Sequence, residues 1–540
     1  MYNTDYEDKV SNFMLNNNAL TTTNNITATF QKELKQTIKR CKTIIDPETS
    51  WKFTNLNPKT PRLKGLLKVH KDNMLIRPIV DYSPAPAYKI SKKLSNVLKT
   101  HVPLPYTFNI RNSAQLINDI SEIPYAPGLQ LTSLDISDMY SNVPTNETEH
   151  ILRLLCKQQD LDSTITEEII AITNTVITQN YYGFNGNTYI QPKGLAMGAP
   201  SSSILSEIYL QHLENTKALS ILTKPGIEGY FRYVDDILLI YNEYLIDINE
   251  ILTSFNSLSH NLKFSLELEA DNRLNYLDLT LVKNPNGFSY DIYRKPTASD
   301  TIIPRDSCHP REHKMAAIRY FVNRVNTYDL SNNSKRSEMS TIEHILRSNS
   351  YDVSLLDKMI RKEARKKPNQ QQTPEHLKQK WARFTYIGSE TRMITKLFRH
   401  YQVKVAFTTN NNLNKLLRIN IADEANKYTK SGTYQLNCPT CSKKYIGQTG
   451  RSFQIRFREH KHDYKYMCHK SRLAQHLLEE GHSFDTMENI MEIIQFARKG
   501  RMMDALEKFN IYDITRKGVQ INDRLTIQRN PIFDEVLRNR

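Results

Sequence analysis

Short apolar runs alternate with amphipathic periods between residues 51 and 300, and the two patterns predict different elements. The runs IRPIVDY, LQLTSLDIS and FRYVDDILLIY are rich in β-branched and aromatic residues, which favours strands. The segments AYKISKKLSNVLKTHV and SSSILSEIYLQHLENTKAL repeat their apolar residues at helical spacing, which predicts helices. Strands and helices mixed in this way predict an α+β fold.

The flanking segments differ in composition from this α+β core. The first 50 residues are rich in Asn and Thr and then basic, which predicts a flexible or partly helical lead-in. Residues 301–400 are expected to be mostly helical, with a loop or hinge at RKEARKKPNQQQTPEH. The expected division is a lead-in (1–50), an α+β core (51–300), a helical basic region (301–407), a linker (408–429), a compact block (430–530) and a tail (531–540).

Charge points to a polyanionic partner. The 540 residues include 73 Lys and Arg against 57 Asp and Glu, a net charge of +16 that a fold does not require. Between Lys358 and His400 the cations alternate with aromatic residues, which suits a nucleic-acid groove, although ordinary core aromatics are the competing interpretation. The chain has no long apolar run and a polar start, so we expect an intracellular protein that neither crosses nor binds a membrane.

Two adjacent carboxylates, Asp235 and Asp236, interrupt the apolar run YFRYVDDILLI. Adjacent anions repel each other and lose hydration in apolar surroundings, and a metal ion would offset that penalty. A hairpin turn is the competing interpretation, because aspartate is a common turn residue. Asp135 follows another strand-like run and could converge on the pair. Such a set suits two Mg²⁺ ions for nucleotidyl transfer, one activating the 3′-hydroxyl and one neutralising the leaving group.

The order of several motifs resembles the Penelope-like element reverse transcriptases. The segments RPIV, DISDMYSNVP, GLAMGAP, YVDD, NYLDL and YRKPTASDT carry this resemblance, which covers nearly all of residues 51–400. It implies a right-hand polymerase of fingers, palm and thumb that performs RNA-directed DNA synthesis. It also implies that Asp135 and Asp235 are direct metal ligands and that Asp236 gives close support. The implied partners are an RNA template, a DNA primer or target, and dNTPs.

The same resemblance assigns substrate contacts. Lys68 and Arg77 would grip the triphosphate, Tyr140 would exclude the ribose 2′-hydroxyl, and Lys263 would protonate pyrophosphate. Either Gln191 or Lys193 would take the place of the usual motif B glutamine. Gly194 and Gly198 would let the backbone approach a base pair closely.

The C-terminal block resembles the GIY-YIG endonucleases. Tyr434 lies in GTY and Tyr445 in YIG, and a helix follows with Arg456 and His460 four residues apart. Glu507 lies on a later predicted helix and would hold one Mg²⁺. The resemblance also involves Gly447 and Asn522, and Thr433 departs from it by replacing isoleucine. A base, a cation and a metal-binding carboxylate are sufficient to cut a phosphodiester.

Cys438 and Cys441 have the Cys-x-x-Cys spacing of a zinc knuckle. His476 and His482 are candidate partners from downstream, with Cys468 and His469 as rivals, and the family resemblance favours the two histidines. Two free thiols are the competing interpretation. The other cysteines, Cys41, Cys156 and Cys308, are isolated in sequence and predict core or reduced surface thiols.

These features favour a retroelement enzyme that nicks DNA with its C-terminal block and extends the freed 3′ end on an RNA template. A chromosomal substrate would imply nuclear residence. One alternative is a reverse transcriptase with an inactive nuclease that uses existing DNA ends. Another is a non-catalytic, decayed or domesticated nucleic-acid-binding protein.

Overall fold

The computed structural model describes residues 3–22, 26–67, 76–105, 107–285, 287–364, 379–409, 427–522 and 529–538. The chain divides into two compact units. The first comprises Met1–Phe53, Thr60–Ser83 and Ala87–Leu416, and the second comprises Thr54–Lys59, Pro84–Pro86 and Leu417–Arg540. Among the described residues, no helix combines the length and apolar character that a membrane span needs.

The first unit mixes helices with short strands, as the α+β pattern predicts. Its helices are α1 (Asn3–Asn16), α2 (Ile26–Arg40), α3 (Tyr88–His101), α4 (Ser113–Ser121), α5 (Met139–Asn142), α6 (Thr145–Gln158), α7 (Ser163–Thr178), α8 (Ser202–Leu213), α9 (Leu219–Leu222), α10 (Ile248–Ser257), α11 (Arg311–Thr327), α12 (Asn332–Ser348), α13 (Ser354–Ala364) and α14 (Thr391–His400). Its strands are β1 (Leu20–Thr22), β2 (Arg62–Leu67), β3 (Ile76–Asp81), β4 (Leu129–Ile136), β5 (Tyr181–Phe184), β6 (Asn187–Ile190), β7 (Ile227–Tyr233), β8 (Asp236–Asn242), β9 (Phe264–Leu268), β10 (Arg273–Tyr276), β11 (Leu279–Asn284), β12 (Gly287–Ile292), β13 (Trp381–Thr385) and β14 (Lys404–Thr408).

A four-stranded antiparallel sheet in the order β7-β8-β4-β9 forms the centre of the first unit. Strand β8 reads as a continuous apolar run because both of its faces are covered. Leu238 and Ile240 pack in a core with α4 and β11. Ile237 on the opposite face lies near Phe255 of α10 and Leu210 of α8. Neither face of the sheet is exposed to solvent at β8, and the polar side chains of this strand lie at its ends.

The N-terminal segment forms helices and joins a second sheet. This sheet has the order β1-β6-β5-β2-β3. Helix α2 buries Phe30 and Leu34, and the Thr37 hydroxyl lies 2.8 Å from that of Thr175 in α7. The segment that the sequence suggested as a flexible or partly helical lead-in is thus helical through most of its described length and packs on the core.

The sheet β10-β11-β12 and helices α11 to α13 follow the central sheet. Residues 301–400 were expected to be mostly helical, and they contain helices α11 to α14 together with one strand that was not expected, β13. The sequence WARFT alternates in exposure with a period of two, which is the strand period rather than the helical one. Strands β13 and β14 pair in parallel and are joined through α14.

The second unit contains a three-stranded sheet in the order β16-β15-β17. Its elements are β15 (Gly432–Asn437), β16 (Lys444–Thr449), α15 (Phe453–Lys465), α16 (Arg472–Glu479), α17 (Met487–Ile490), β17 (Met491–Phe496), α18 (Arg501–Arg516) and α19 (Pro531–Arg538). Apolar residues of β15, α15 and α16 form its core, including Leu436, Phe453 and Leu473.

Candidate catalytic site

The carboxylates of Asp135, Asp235 and Asp236 meet at one end of the central sheet. Strands β4 and β8 are neighbours, and their register makes Asp135 and Asp236 direct partners. The Ile136 amide donates to the Asp235 carbonyl at 3.1 Å, which ties the end of β4 to the hairpin turn. Val234 and Asp235 form the turn of the β7–β8 hairpin, and Asp236 is the first residue of β8. The turn interpretation therefore holds for Asp235 alone.

The hairpin turn is strained at Val234. Its φ of +60° is left-handed, and a β-branched residue rarely adopts that conformation. The Arg232 side chain donates from Nη1 to the Val234 carbonyl at 3.2 Å. The hydroxyl of Tyr276 lies 3.1 Å from the Phe231 carbonyl and 3.0 Å from the Asp236 carbonyl. Side chains therefore hold the hairpin backbone next to the carboxylates.

Arg232 is completely buried and is held by two glutamates, Glu207 in α8 and Glu214 directly after it. Its Nε donates to Glu214 at 2.5 Å, and its Nη2 donates to Glu207 at 2.8 Å. Burial disfavours the guanidinium charge, but the hydrogen bonds and charges of both glutamates raise the pKa of Arg232. Burial raises the pKa of Glu214. For Glu207, burial is outweighed by Arg232, which lowers the pKa of that carboxyl.

A groove of about 1240 Å³ opens beside the carboxylates. Besides the three aspartates, it is lined by Arg77 of β3, Tyr140 of α5, Gly198 and Lys295. Burial and the charge of Asp235 raise the pKa of Tyr140, so this phenol is neutral at pH 7. Carboxylates and cations that line one groove suit a metal–triphosphate complex.

The other predicted contacts are not all in this groove. Lys68 lies outside the described residues. Among the described residues that line the groove, neither Gln191, Lys193 nor Lys263 is found. Gln191 is buried and donates to the Lys193 carbonyl at 3.0 Å. Lys263 is exposed, and its carbonyl accepts from the Ser137 amide at 2.9 Å. The structure thus brings neither motif B candidate nor the general-acid candidate to the groove.

Two glycines make close approaches to the protein's own backbone. A Cβ on Gly194, which has a φ of +74°, would lie 2.3 Å from the Ser141 carbonyl oxygen. A Cβ on Gly198, which has a φ of +80°, would lie 2.3 Å from the Val80 carbonyl oxygen. A side chain would therefore clash with α5 at Gly194 and with β3 at Gly198, and their approach to a base pair stays a prediction.

In the second unit, Tyr434, Arg456 and His460 form a buried cluster. The Tyr434 oxygen accepts from Arg456 Nε at 3.1 Å and lies 2.8 Å from His460 Nε2. Because a guanidinium only donates, the Tyr434 hydrogen points to the imidazole. Burial and the charge of Arg456 lower the pKa of His460 to about 3, so the ring is neutral at pH 7. Burial raises the pKa of Tyr434.

Tyr445 and Glu507 lie beside this cluster. The ring centroid of Tyr445 is 6.4 Å from that of Tyr434 and 5.4 Å from that of His460. A Cβ on Gly447 would lie 2.5 Å from the Tyr434 hydroxyl, so a side chain there would displace the phenol. The charge of Glu507 acts on Tyr434, and burial raises the pKa of Glu507. The structure brings together all five residues predicted as catalytic in this block.

Three further polar residues contact Glu507 or one another. Gln448 Nε2 donates to Glu507 at 2.7 Å and to Asp504 at 3.0 Å. Lys499 Nζ donates to the side-chain oxygen Oε1 of Gln448 at 2.8 Å. Sequence reasoning missed these residues, although Asp504 precedes Glu507 by three positions on a helix and so shares its face.

The side chain of Asn522 is hydrogen-bonded through both its oxygen and its nitrogen, whereas the described residues offer no partner to that of Thr433. Asn522 accepts from the Ile446 amide at 2.9 Å and donates to the Ile446 carbonyl at 2.7 Å, so it pairs with the edge of β16 as another strand would. The Thr433 hydroxyl is buried and has no hydrogen-bond partner within the described ranges. The departure from isoleucine therefore leaves a polar atom unsatisfied in this sheet.

Four metal-ligating side chains converge near the β15–β16 hairpin. Ligand atoms of Cys438, Cys441, His476 and His482 all lie within 4.8 Å of one another. Cys438 Sγ is 3.3 Å from His482 Nδ1, and Cys441 Sγ is 3.4 Å from His476 Nε2. Tetrahedral Zn²⁺ with Zn–S of about 2.3 Å and Zn–N of about 2.1 Å separates sulfur from nitrogen by about 3.6 Å. The four residues therefore fit a zinc ion.

Cys468, the alternative zinc ligand, does not belong to this four-residue cluster but to a second group of ligand atoms. Its sulfur lies within the same 4.8 Å range of ligand atoms from His462 and Asp463. His469 belongs to neither group among the described residues. The remaining cysteines behave as expected, since Cys41 and Cys156 are buried and Cys308 is exposed.

Comparison with known proteins gives one family match and several distant structural neighbours. Residues 301–361, which include α11 and α12, match the family model described as Animal helix-turn-helix domain. No curated protein sequence matches this chain. The structural neighbours are nucleic-acid polymerases. The Candida albicans telomerase in complex with a telomeric RNA fragment has a TM-score of 0.41 at 12% identity, covering 56% of this chain and 59% of that one. The Sicinivirus RNA-dependent RNA polymerase has a TM-score of 0.38 at 15% identity, covering 61% and 71%.

This chain therefore spans less than two thirds of the length of that telomerase chain.

Proposed function

We propose that this chain is an RNA-directed DNA polymerase of the Penelope-like element type. The observation that carries the proposal is the β4–β8 register, which sets Asp135 opposite Asp236 and next to Asp235. Three carboxylates at one end of a sheet, in a groove that Arg77 also lines, suit a primer end and a nucleoside triphosphate. The net charge of +16 supports a nucleic-acid partner.

Each groove residue has a task in this reaction. Asp135 and Asp235 would be the ligands of two Mg²⁺ ions, with Asp236 in support. When bound, these ions lower the pKa of the attacking 3′-hydroxyl and neutralise the pyrophosphate leaving group. Arg77 would bind phosphate oxygens through its planar fork. The neutral Tyr140 ring would lie where a ribose 2′-hydroxyl has to fit.

RNA-templated primer extension tests the polymerase proposal. The wild type should extend a DNA primer with dNTPs and Mg²⁺, and Asp235→Asn should lower the rate by at least about 10³-fold while binding stays salt-sensitive. Asp160→Asn removes a carboxylate from an exposed turn and serves as the matched control. Extension by Asp235→Asn at the wild-type rate would refute the metal assignment, and no extension by the wild type would favour a non-catalytic binding protein.

We further propose that the second unit is a GIY-YIG endonuclease that nicks target DNA to provide the primer. The cluster of Tyr434, Arg456 and His460 supports this activity, because a neutral imidazole can accept the proton that Tyr434 passes on from water. Arg456 would stabilise charge on the cleaved phosphate. Glu507 would hold a single Mg²⁺, which supplies further charge neutralisation when bound.

Nicking of supercoiled plasmid separates this proposal from its alternative. Wild type with Mg²⁺ should convert supercoiled plasmid to open circles, and Glu507→Gln should not. Glu488→Gln, an exposed glutamate, is the control that should nick normally. Extension activity without any nicking by the wild type would support a polymerase that uses existing DNA ends.

We also infer that Cys438, Cys441, His476 and His482 hold a structural Zn²⁺. The separation of their ligand atoms supports this inference. The ion would join the β15–β16 hairpin to α16, which are otherwise linked through a small core.

A further inference from the structure

Strands β13 and β14 with helix α14 form a small parallel β-α-β layer whose sheet is covered on one side. Phe384 and Phe398 make an edge-to-face contact with ring centroids 6.0 Å apart, which places α14 against the inward face of the sheet. Trp381, Arg383 and Thr385 alternate with these inward residues and are exposed. The parallel register sets Trp381 beside Lys404. Within the part of the chain that the structure describes, the other face of the sheet is therefore open.

The open face combines an aromatic ring with cations. The Trp381 side chain is 61% exposed, which is far more than a core tryptophan allows. The Lys404 ammonium lies 5.6 Å from the Trp381 ring centroid, and Arg383 lies two residues along the same strand and on the same face. Each of the two cations is exposed. A flat ring flanked by cations is a stacking platform with phosphate contacts beside it.

The charge of this layer favours a polyanion. Residues 379–409 contain six Lys and Arg against one acidic residue, Glu390. Glu390 lies before α14, outside both strands, and accepts a hydrogen bond from the neighbouring Ser389. Arg392 of α14 lies 3.5 Å from Glu312 and so has an acidic partner within the first unit.

We propose that this open face binds single-stranded nucleic acid, with a base stacked on Trp381 and phosphates on Arg383 and Lys404. An unpaired base offers a free π-face, whereas a duplex hides its base faces within the stack. This site goes beyond the proposed polymerase and nuclease activities and is separate from the residues of both catalytic clusters.

The outer surface of α14 has a different chemistry. Met393, Ile394 and Leu397 are exposed there, and they offer no cation–aromatic pattern. Such an apolar surface suits a protein contact, for example with a second copy of this chain. Self-association through this surface is one outcome of the test below.

Intrinsic tryptophan fluorescence reports on this face directly, because the chain has only two tryptophans, Trp51 and Trp381. In the full-length Trp51→Phe variant, Trp381 is the sole indole. Titration with a uridine 12-mer, without Mg²⁺ or dNTPs, should quench the fluorescence, and added salt should reverse the quenching. An abasic oligonucleotide of equal length carries the phosphates without the bases and should quench little.

Charge variants in the same background test the cations. Lys404→Ala and Arg383→Ala should each weaken the quenching titration about 3- to 10-fold, and Lys396→Ala removes the same charge from α14 and should not. In a fluorescence anisotropy assay with a labelled 12-mer, Trp381→Ala should lower the affinity of this site about 5- to 150-fold.

Three results would overturn the proposal. In the first, anisotropy shows that the 12-mer binds but the fluorescence of Trp381 is not quenched, whereas the fluorescence of Trp51 is quenched in the variant Trp381→Phe. In the second, a duplex of equal length quenches Trp381 as strongly as the single strand. In the third, quenching grows with protein concentration alone and sedimentation shows dimers, which would identify the layer as a self-association surface. Because no catalysis is measured, an inactive polymerase would not affect these results.

Discussion

Replacing Arg232 by methionine should strongly destabilise the first unit. The guanidinium makes five hydrogen bonds, four of them to Glu207 and Glu214. Arg232 is 0% exposed, and the side chains of Glu207 and Glu214 are 15% and 5% exposed. Removing the cation leaves two carboxylates without compensation in a low-dielectric environment, and a broken buried pair costs about 3–5 kcal/mol. We therefore expect a loss of that size in the free energy of unfolding at pH 7.

The loss should shrink as the pH falls. In the variant, burial without a cation raises the pKa of the remaining carboxyls above their unfolded value of about 4.3. The folded state then binds more protons than the unfolded state between those two pKa values, so the stability of the variant rises on acidification through that window. Adding Glu207→Gln and Glu214→Gln to Arg232→Met should restore most of the stability at pH 7.

Urea unfolding followed by circular dichroism at pH 7 and pH 5 measures these differences. Arg153→Met is the matched control, because Arg153 also pairs with two glutamates, Glu149 and Glu167, but is 39% exposed. An exposed pair contributes about 0–1 kcal/mol, so this control should be nearly neutral. Equal losses for the two variants, or a loss for Arg232→Met that does not depend on pH, would refute the reasoning.

Three further predictions concern the second unit. The pKa of His460 is about 3 in the folded chain against about 6.5 when unfolded, so its contribution to stability is complete above pH 6.5 and is lost at about 1.4 kcal/mol per pH unit below that. In urea titrations, the free energy of unfolding should therefore fall more steeply on acidification for the wild type than for His460→Gln. Parallel curves for the two proteins would contradict the assignment. Thr433→Val removes a buried unsatisfied hydroxyl and should stabilise the unit by about 1–2 kcal/mol in thermal denaturation, whereas a lower melting temperature would indicate an undetected partner. Elemental analysis should find one zinc ion per chain in the wild type and in the control Cys308→Ser, but almost none in Cys438→Ser. An unchanged zinc content in Cys438→Ser would exclude the proposed ligand set.

The sequence was sufficient to predict the meeting of the carboxylates. Asp135 ends a strand-like run, and Asp235 and Asp236 interrupt another, so antiparallel pairing of the two runs brings them together. The cluster in the second unit was also predictable in outline, because Tyr434 and Tyr445 lie on adjacent strands and Arg456 and His460 share a helix face.

The supporting contacts could not be read from the sequence. Arg232 is a cation within an apolar run, which is a signal that a buried counter-charge is needed, but its partners lie 25 and 18 residues earlier on another element. The glycine at 194 was predicted to approach a nucleic acid, whereas the tight contact is to the Ser141 backbone and emerges only when the chain folds. Strand β13 was missed because a basic, aromatic segment does not distinguish a strand period from a helical one over five residues.

The central claim is that Asp135 and the Asp235–Asp236 hairpin hold the same metal ions. Fe²⁺ in place of Mg²⁺ reduces added hydrogen peroxide to hydroxyl radicals, with ascorbate regenerating Fe²⁺, and the radicals cut the polypeptide next to the ion. Mass spectrometry locates the cuts. We predict cuts at the end of β4 and at the β7–β8 turn in the wild type, with both sets lost in Asp135→Asn. Cuts confined to one of the two segments, or cuts at the turn that persist in Asp135→Asn, would contradict a shared metal site.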